Sequence, residues 1–163
     1  MRQVLTIWLL AGSATLLCGP ATAEDKPYKL VGCGVTEVTI IGKTEAMTIG
    51  HNLSRGTTQS VPAGGDFDNT SYECQAVWHA SGQGVEFSGR CTFVDGDGDK
   101  ILGVATKSDP GSKGWGWKYL GGTGKWAGFT GGGQSQPLRR MPTIRPGVRG
   151  SCWEASGTYT LGG

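Results

Sequence analysis

In 163 residues the sequence holds only two histidines, His51 and His79, and it has no Gly-x-Ser-x-Gly elbow, phosphate-cradling glycine loop or C-x-x-C pair. Those absences remove the usual signatures of serine hydrolases, nucleotide-dependent enzymes, structural zinc sites and thioredoxin-like redox chemistry. No residue set has metal-ligand spacing, so no metal and no other cofactor is expected, and no catalytic set can be assigned. No stretch shows the periodicity of an amphipathic helix. Carboxylates are also missing where they would balance charge. Residues 110 to 153 hold 7 basic and no acidic residues, against 7 basic and 12 acidic in residues 24 to 109. Such a split can mark an anion-binding face. In a closed sheet, however, both halves lie side by side, and mutual pairing is the weightier expectation.

The N-terminus reads as a targeting segment. Arg2 supplies the positive region, Val4 to Leu17 is almost uniformly apolar, and Ala21-Thr22-Ala23 has the small-x-small form that precedes cleavage. The run is too short and wrongly flanked for a membrane span. Leu17, before Cys18, is not the small residue of a lipobox. Residues 1–23 are therefore expected to be a signal peptide and 24–163 a single β-barrel domain, periplasmic or secreted, with no second candidate span. Without the signal the chain carries 14 Lys+Arg and 13 Asp+Glu. That near-neutrality and the export signal argue against a nucleic-acid partner.

Four cysteines remain, Cys33, Cys74, Cys91 and Cys152. An even number in an exported chain suggests disulfides. Their pairing can be read from strand register. Tyr72 to His79 (Y-E-C-Q-A-V-W-H) and Val85 to Val94 (V-E-F-S-G-R-C-T-F-V) flank a turn-like Ala80-Ser81-Gly82-Gln83-Gly84 and read as a hairpin. Placing Trp78 opposite Phe87 puts Ala76 opposite Gly89, Cys74 opposite Cys91 and Tyr72 opposite Phe93, all on one face. His79 then meets Glu86 on the hydrated face. A slip of one residue would scatter the aromatics over both faces. This register predicts a Cys74–Cys91 bridge and, by elimination, Cys33–Cys152, which would tie the first strand of the domain to the last.

Elsewhere, Val35 to Ile41 and Glu45 to His51 are candidate strands. Asn52 to Thr70 is polar and glycine-bearing and reads as a long loop with a short strand near Thr57 to Val61. Asp95-Gly96-Asp97-Gly98-Asp99 starts like a calcium loop, but its sixth and twelfth positions hold Lys100 and Thr106, so a turn leading into Ile101 to Thr106 is preferred. Trp115 to Tyr119 has large aromatics at every second position. Gly121 to Gly133 (G-G-T-G-K-W-A-G-F-T-G-G-G) is more than half glycine and cannot be a helix; it reads as a glycine corner followed by a partner strand over Trp126 to Thr130. Gly131 to Gly150, with Pro137, Pro142, Pro146 and four arginines, reads as a long irregular loop. Ser151 to Leu161 is the last strand.

The run from Trp117 to Gly133, W-K-Y-L-G-G-T-G-K-W-A-G-F-T-G-G-G, resembles the glycine-rich hairpin of the allene oxide cyclase and dirigent-type barrel superfamily. The acidic-glycine turn before it and the closing G-T-Y are also similar. The resemblance implies an all-β fold, a closed antiparallel calycin-like barrel of about eight strands around an apolar cavity, often trimeric or dimeric. Members include cyclases of oxidised fatty acids and proteins that steer phenoxy-radical coupling. The matching pattern is architectural and carries no catalytic residues onto this chain.

Candidate site residues follow from the aromatics. Trp78, Trp115, Trp117, Tyr119 and Trp126 could wall a cavity for a small apolar ligand, with Arg145 from the arginine-rich loop acting in a lid. An eight-stranded barrel can equally fill itself with such side chains. His79 beside Glu86 could be an oriented base, but an exposed cross-strand ion pair is the weightier reading. Three function classes follow: an exported barrel binding a hydrophobic ligand, which is the preferred reading; a cofactor-independent cyclase or isomerase; and a structural or interaction protein with a solid barrel.

Overall fold

The computed structural model describes residues 24–162. The expected signal peptide, residues 1–23, lies outside them. Eight antiparallel strands follow in chain order: β1 (Lys26–Lys43), β2 (Met47–Ser60), β3 (Thr70–Ser81), β4 (Gly84–Val94), β5 (Lys100–Lys107), β6 (Trp115–Gly122), β7 (Thr130–Arg145) and β8 (Val148–Thr160). Each pairs with its chain neighbours, and β8 pairs with β1, closing the barrel. Alternation drives this arrangement. In β5, Ile101, Gly103 and Ala105 are buried while Leu102 and Thr106 are exposed; in β1, Tyr28 and Leu30 are buried around an exposed Lys29.

The β3–β4 hairpin has the register read from sequence, with Trp78 opposite Phe87, Cys74 opposite Cys91 and Tyr72 opposite Phe93. Both disulfides form as expected, Cys74–Cys91 and Cys33–Cys152. The second crosses the β1–β8 seam, where Cys33 and Cys152 are direct partners. It therefore locks the closure that completes the barrel and constrains a loop spanning a sequence separation of 119 residues.

Three expectations are corrected. The polar stretch from Asn52 is not a loop as far as Thr70, because β2 continues to Ser60. Its inward positions are polar and are satisfied inside the barrel: Ser54 Oγ lies 2.9 Å from Thr36 Oγ1, and Thr58 Oγ1 donates to the Phe67 carbonyl at 2.8 Å. The segment Gly131 to Gly150 is not irregular, but forms most of β7, a tight turn and the start of β8. Prolines are tolerated there because the β7–β8 register shifts between Pro137 and Arg139, between Arg140 and Thr143, and between Thr143 and Arg145. Finally, Trp126 to Thr130 is not a strand. Gly124–Trp126 makes one 3-10 turn, and β7 starts at Thr130. Gly124 has φ +54°, and a Cβ there would lie 1.9 Å from the Asp99 carboxylate, so only glycine fits this corner.

One end of the barrel is plugged. Phe67, from the β2–β3 connection, stacks on Trp126 at 5.7 Å and meets Tyr159 edge-on at 5.6 Å. Phe129, wholly buried, lies 4.7 Å from Tyr119 and 5.1 Å from Trp126. The β4–β5 turn clamps this plug from outside. Asp95 accepts from Trp126 Nε1 at 2.7 Å, from the backbone N–H groups of Asp97 (2.9 Å) and Asp99 (3.0 Å), and pairs with Lys125 at 3.0 Å. Burial would raise the Asp95 carboxyl, but those hydrogen bonds outweigh it and hold its pKa at about 2.

Candidate functional site

The opposite end of the barrel is open and leads into a cavity of about 500 Å³. Its walls come from strand positions that alternate inward: Trp78 on β3, Val85 and Phe87 on β4, Trp115 and Trp117 on β6, and Trp153 on β8. The Cys74–Cys91 bridge forms part of the wall between the tyrosine–phenylalanine and tryptophan–phenylalanine pairs of the hairpin. Phe87 meets Trp115 edge-on at 6.0 Å, while Trp117 lies 5.7 Å from both Phe93 and Trp153.

Glycines let these rings lie flat against the sheet. A Cβ on Gly32 would lie 2.3 Å from the Trp153 ring, and one on Gly50 would lie 2.3 Å from the Trp78 ring. Each of these glycines is the direct cross-strand partner of the indole it supports. Indole N–H groups are spent on the protein. Trp78 Nε1 donates to Asn52 Oδ1 at 2.8 Å, Trp153 Nε1 to the Tyr72 hydroxyl at 3.3 Å, and Trp117 Nε1 to Ser135 Oγ. The ring faces are thus left as apolar surface, held in fixed orientations.

Charge at the mouth is of one sign. Lys107, Arg139, Arg140 and Arg149 line it, and no aspartate, glutamate or histidine is among the lining residues. The titratable groups of the lining are these four cations and Tyr72, whose phenol burial pushes up, with the Trp153 hydrogen bond opposing. At neutral pH the cavity therefore offers apolar walls, hydroxyl and amide groups and positive charge, but no carboxylate or imidazole to act as a general base.

Of the residues singled out from sequence, Trp78, Trp115 and Trp117 come together in this cavity. Tyr119 and Trp126 do not; they belong to the plug at the far end. Arg145 ends β7 beside the β7–β8 turn, opposite Val148, and is not among the lining residues. Its place in the arginine-rich segment is strand rather than lid loop, and the arginines at the mouth are Arg139, Arg140 and Arg149 instead. Those three were not singled out because a proline-broken stretch gives no inward–outward alternation from which to read them; Lys107, which continues the inward set Ile101, Gly103 and Ala105, was missed because the strand expected from the sequence ends at Thr106. His79 pairs with Glu86 at 3.2 Å outside the cavity, both about two-fifths exposed. His51, placed between Gly50 and Asn52 on β2, is not a lining residue.

Among solved structures, the pterocarpan synthase dirigent protein GePTS1 is similar, with a TM-score of 0.51 at 15% identity over 87% of this chain and 94% of that one. The attachment invasion locus protein Ail of Yersinia pestis aligns at 9% identity over 84% of this chain and 98% of its own, but its TM-score of 0.15 leaves no shared geometry to argue from. No protein-family model and no curated protein matches the chain. At such identity the likeness is one of architecture, and by that measure this chain is a dirigent-like eight-stranded barrel.

Proposed function

We propose that this protein is an exported binder of a small hydrophobic ligand, held in the tryptophan-walled cavity at the open end of the barrel. The observation that carries the reading is the cavity itself: about 500 Å³, within the range of small-molecule sites, walled by four indoles, three of which already donate their N–H groups to the protein. Two disulfides suit a protein working in an oxidising compartment. The similar dirigent structure is described as a pterocarpan synthase. A cyclase or isomerase reading for this chain, of the allene oxide cyclase type, would ask the cavity to move protons or stabilise charge with groups beyond arginine and lysine. The absence of carboxylate and imidazole from its lining favours binding over such chemistry.

The test is uptake of N-phenyl-1-naphthylamine, a neutral probe that fluoresces in apolar surroundings. The wild-type protein should bind it saturably, and Trp78→Ala and Trp117→Ala should each weaken binding by about tenfold, the loss of roughly one large apolar contact. Absence of uptake by the wild type, or unchanged affinity in both variants, would overturn the reading.

A further inference from the structure

We infer that the ligand of this cavity is an amphipathic acid, an apolar body ending in a carboxylate that is held at the mouth by Arg139, Arg140, Arg149 and Lys107. The inference rests on the binding reading above and adds the ligand's chemical class and its orientation.

Four cations converge on one opening, and no carboxylate shares the lining with them. Elsewhere the protein pairs its charges: Lys29 lies 3.6 Å from Glu154, Arg55 lies 2.8 Å from Glu73, and Lys125 lies within 3.0 Å of both Asp95 and Asp97. Among the described residues, none of the four mouth cations makes such a pair. Of the basic stretch 110 to 153, Lys125 pairs with the acidic half at the plugged end, while the mouth keeps its excess. Three of the four cations come from the acid-free stretch of residues 110 to 153. Like charges around a low-dielectric opening repel one another and focus a positive potential into it, and an anion at the rim relieves both.

Residue type sharpens the class. Guanidinium groups present paired donors that match the two oxygens of a carboxylate, and three of the four cations are arginine. Trp117 and Trp153 lie deeper than the cations: Trp117 pairs with Ala105, two residues inward of Lys107, and Trp153 pairs with Pro137, inward of Arg139, Arg140 and Arg149 on the β7–β8 ladder, so polarity changes along the axis of the cavity. A ligand following that gradient enters apolar end first and leaves its charged end at the rim. Uncharged apolar molecules would use only the lower half of the site.

The experiment compares 1-pyrenebutyrate with 1-pyrenebutanol, which differ only in the terminal group, by quenching of tryptophan fluorescence at about pH 7, where the carboxylate is ionised. Wild-type protein in about 0.01 M salt should bind the acid at least about tenfold more tightly than the alcohol, as expected for one or two charge-assisted hydrogen bonds. The triple variant Arg139→Gln/Arg140→Gln/Arg149→Gln should lose most of that ratio while binding the alcohol as before. Raising the salt to about 1 M should shrink the ratio in the wild type, a check that needs no variant to fold. Equal binding of acid and alcohol by the wild type would overturn this inference and leave the binding reading standing. Binding of neither would overturn both. A ratio that survives both the triple variant and high salt would place the anion elsewhere and overturn the assignment to the mouth.

Discussion

The two ends of this barrel are made by the same eight strands and differ in what connects them. At the plugged end the connections carry large side chains inward: Phe67 between β2 and β3, and Trp126 and Phe129 between β6 and β7, with Asp95 tying the β4–β5 turn to Trp126. At the open end the connections are Thr44 to Ala46, Gly82-Gln83, Ser108 to Gly114 and Pro146-Gly147, and none of them contains an aromatic residue. No aromatic folds over the mouth from these turns. Eight strands give an interior that side chains can just fill or that can hold one small ligand. Here the loops decide between those outcomes, and they decide differently at each end.

The sharpest way to test that contrast is to truncate one ring at each end. Phe129→Ala removes a wholly buried ring from the plug and should cost about 3–5 kcal/mol of unfolding free energy. Trp78→Ala removes a partly exposed ring from the cavity wall and should cost about 1 kcal/mol, since solvent already reaches that space. Urea denaturation of the two variants reads both numbers. Equal costs would mean that the open end is packed as tightly as the plug, and the cavity would lose its meaning as a ligand site.

A smaller effect is expected from filling the supports under the indoles. Gly32→Ala places a methyl group where the Trp153 ring lies, and the ring must move toward the cavity or the sheet must yield. We expect a loss of about 1–3 kcal/mol, together with reduced uptake of N-phenyl-1-naphthylamine. A stable variant with normal uptake would show that Trp153 has room to move without narrowing the site.

How much of this could be read from the chain differs along it. The β3–β4 hairpin was legible because apolar alternation, a short turn and a cysteine pair all demand the same register. The glycine corner was legible as a corner but not in form, because Trp126 serves as a plug held by Asp95, a partner 31 residues away. β2 was half hidden: its inward residues Asn52, Ser54 and Thr58 are polar and find partners only once the barrel is closed. β7 was hidden altogether, since its prolines and register shifts erase the period of two. At the site, the tryptophans announced themselves by size, yet nothing local could separate Trp126 at one end from Trp78 at the other. That division depends on which end of each strand a residue occupies.

Acid should weaken the plugged end. Asp95 has its pKa lowered from 3.8 to about 2 in the folded protein, so its contribution is present above about pH 4 and is lost as the pH falls toward 2. Thermal melting followed from pH 5 to 2 should show a decline in that window that is diminished in Asp95→Asn. An identical decline in the variant would assign the acid sensitivity to other carboxylates.

The smallest effect is expected from the histidine that the sequence offered as a base. His79 and Glu86 meet at 3.2 Å on the outer surface of the β3–β4 hairpin, near the mouth, with both side chains open to solvent. An exposed pair of this kind contributes no more than about 1 kcal/mol, and His79 makes no part of the cavity lining. His79→Ala should therefore leave the melting temperature within a few degrees of the wild type and leave affinity for both N-phenyl-1-naphthylamine and 1-pyrenebutyrate unchanged. A marked fall in affinity would mean that the hairpin tip reaches over the mouth when ligand binds, and would give the open end the cover that its aromatic-free turns do not supply.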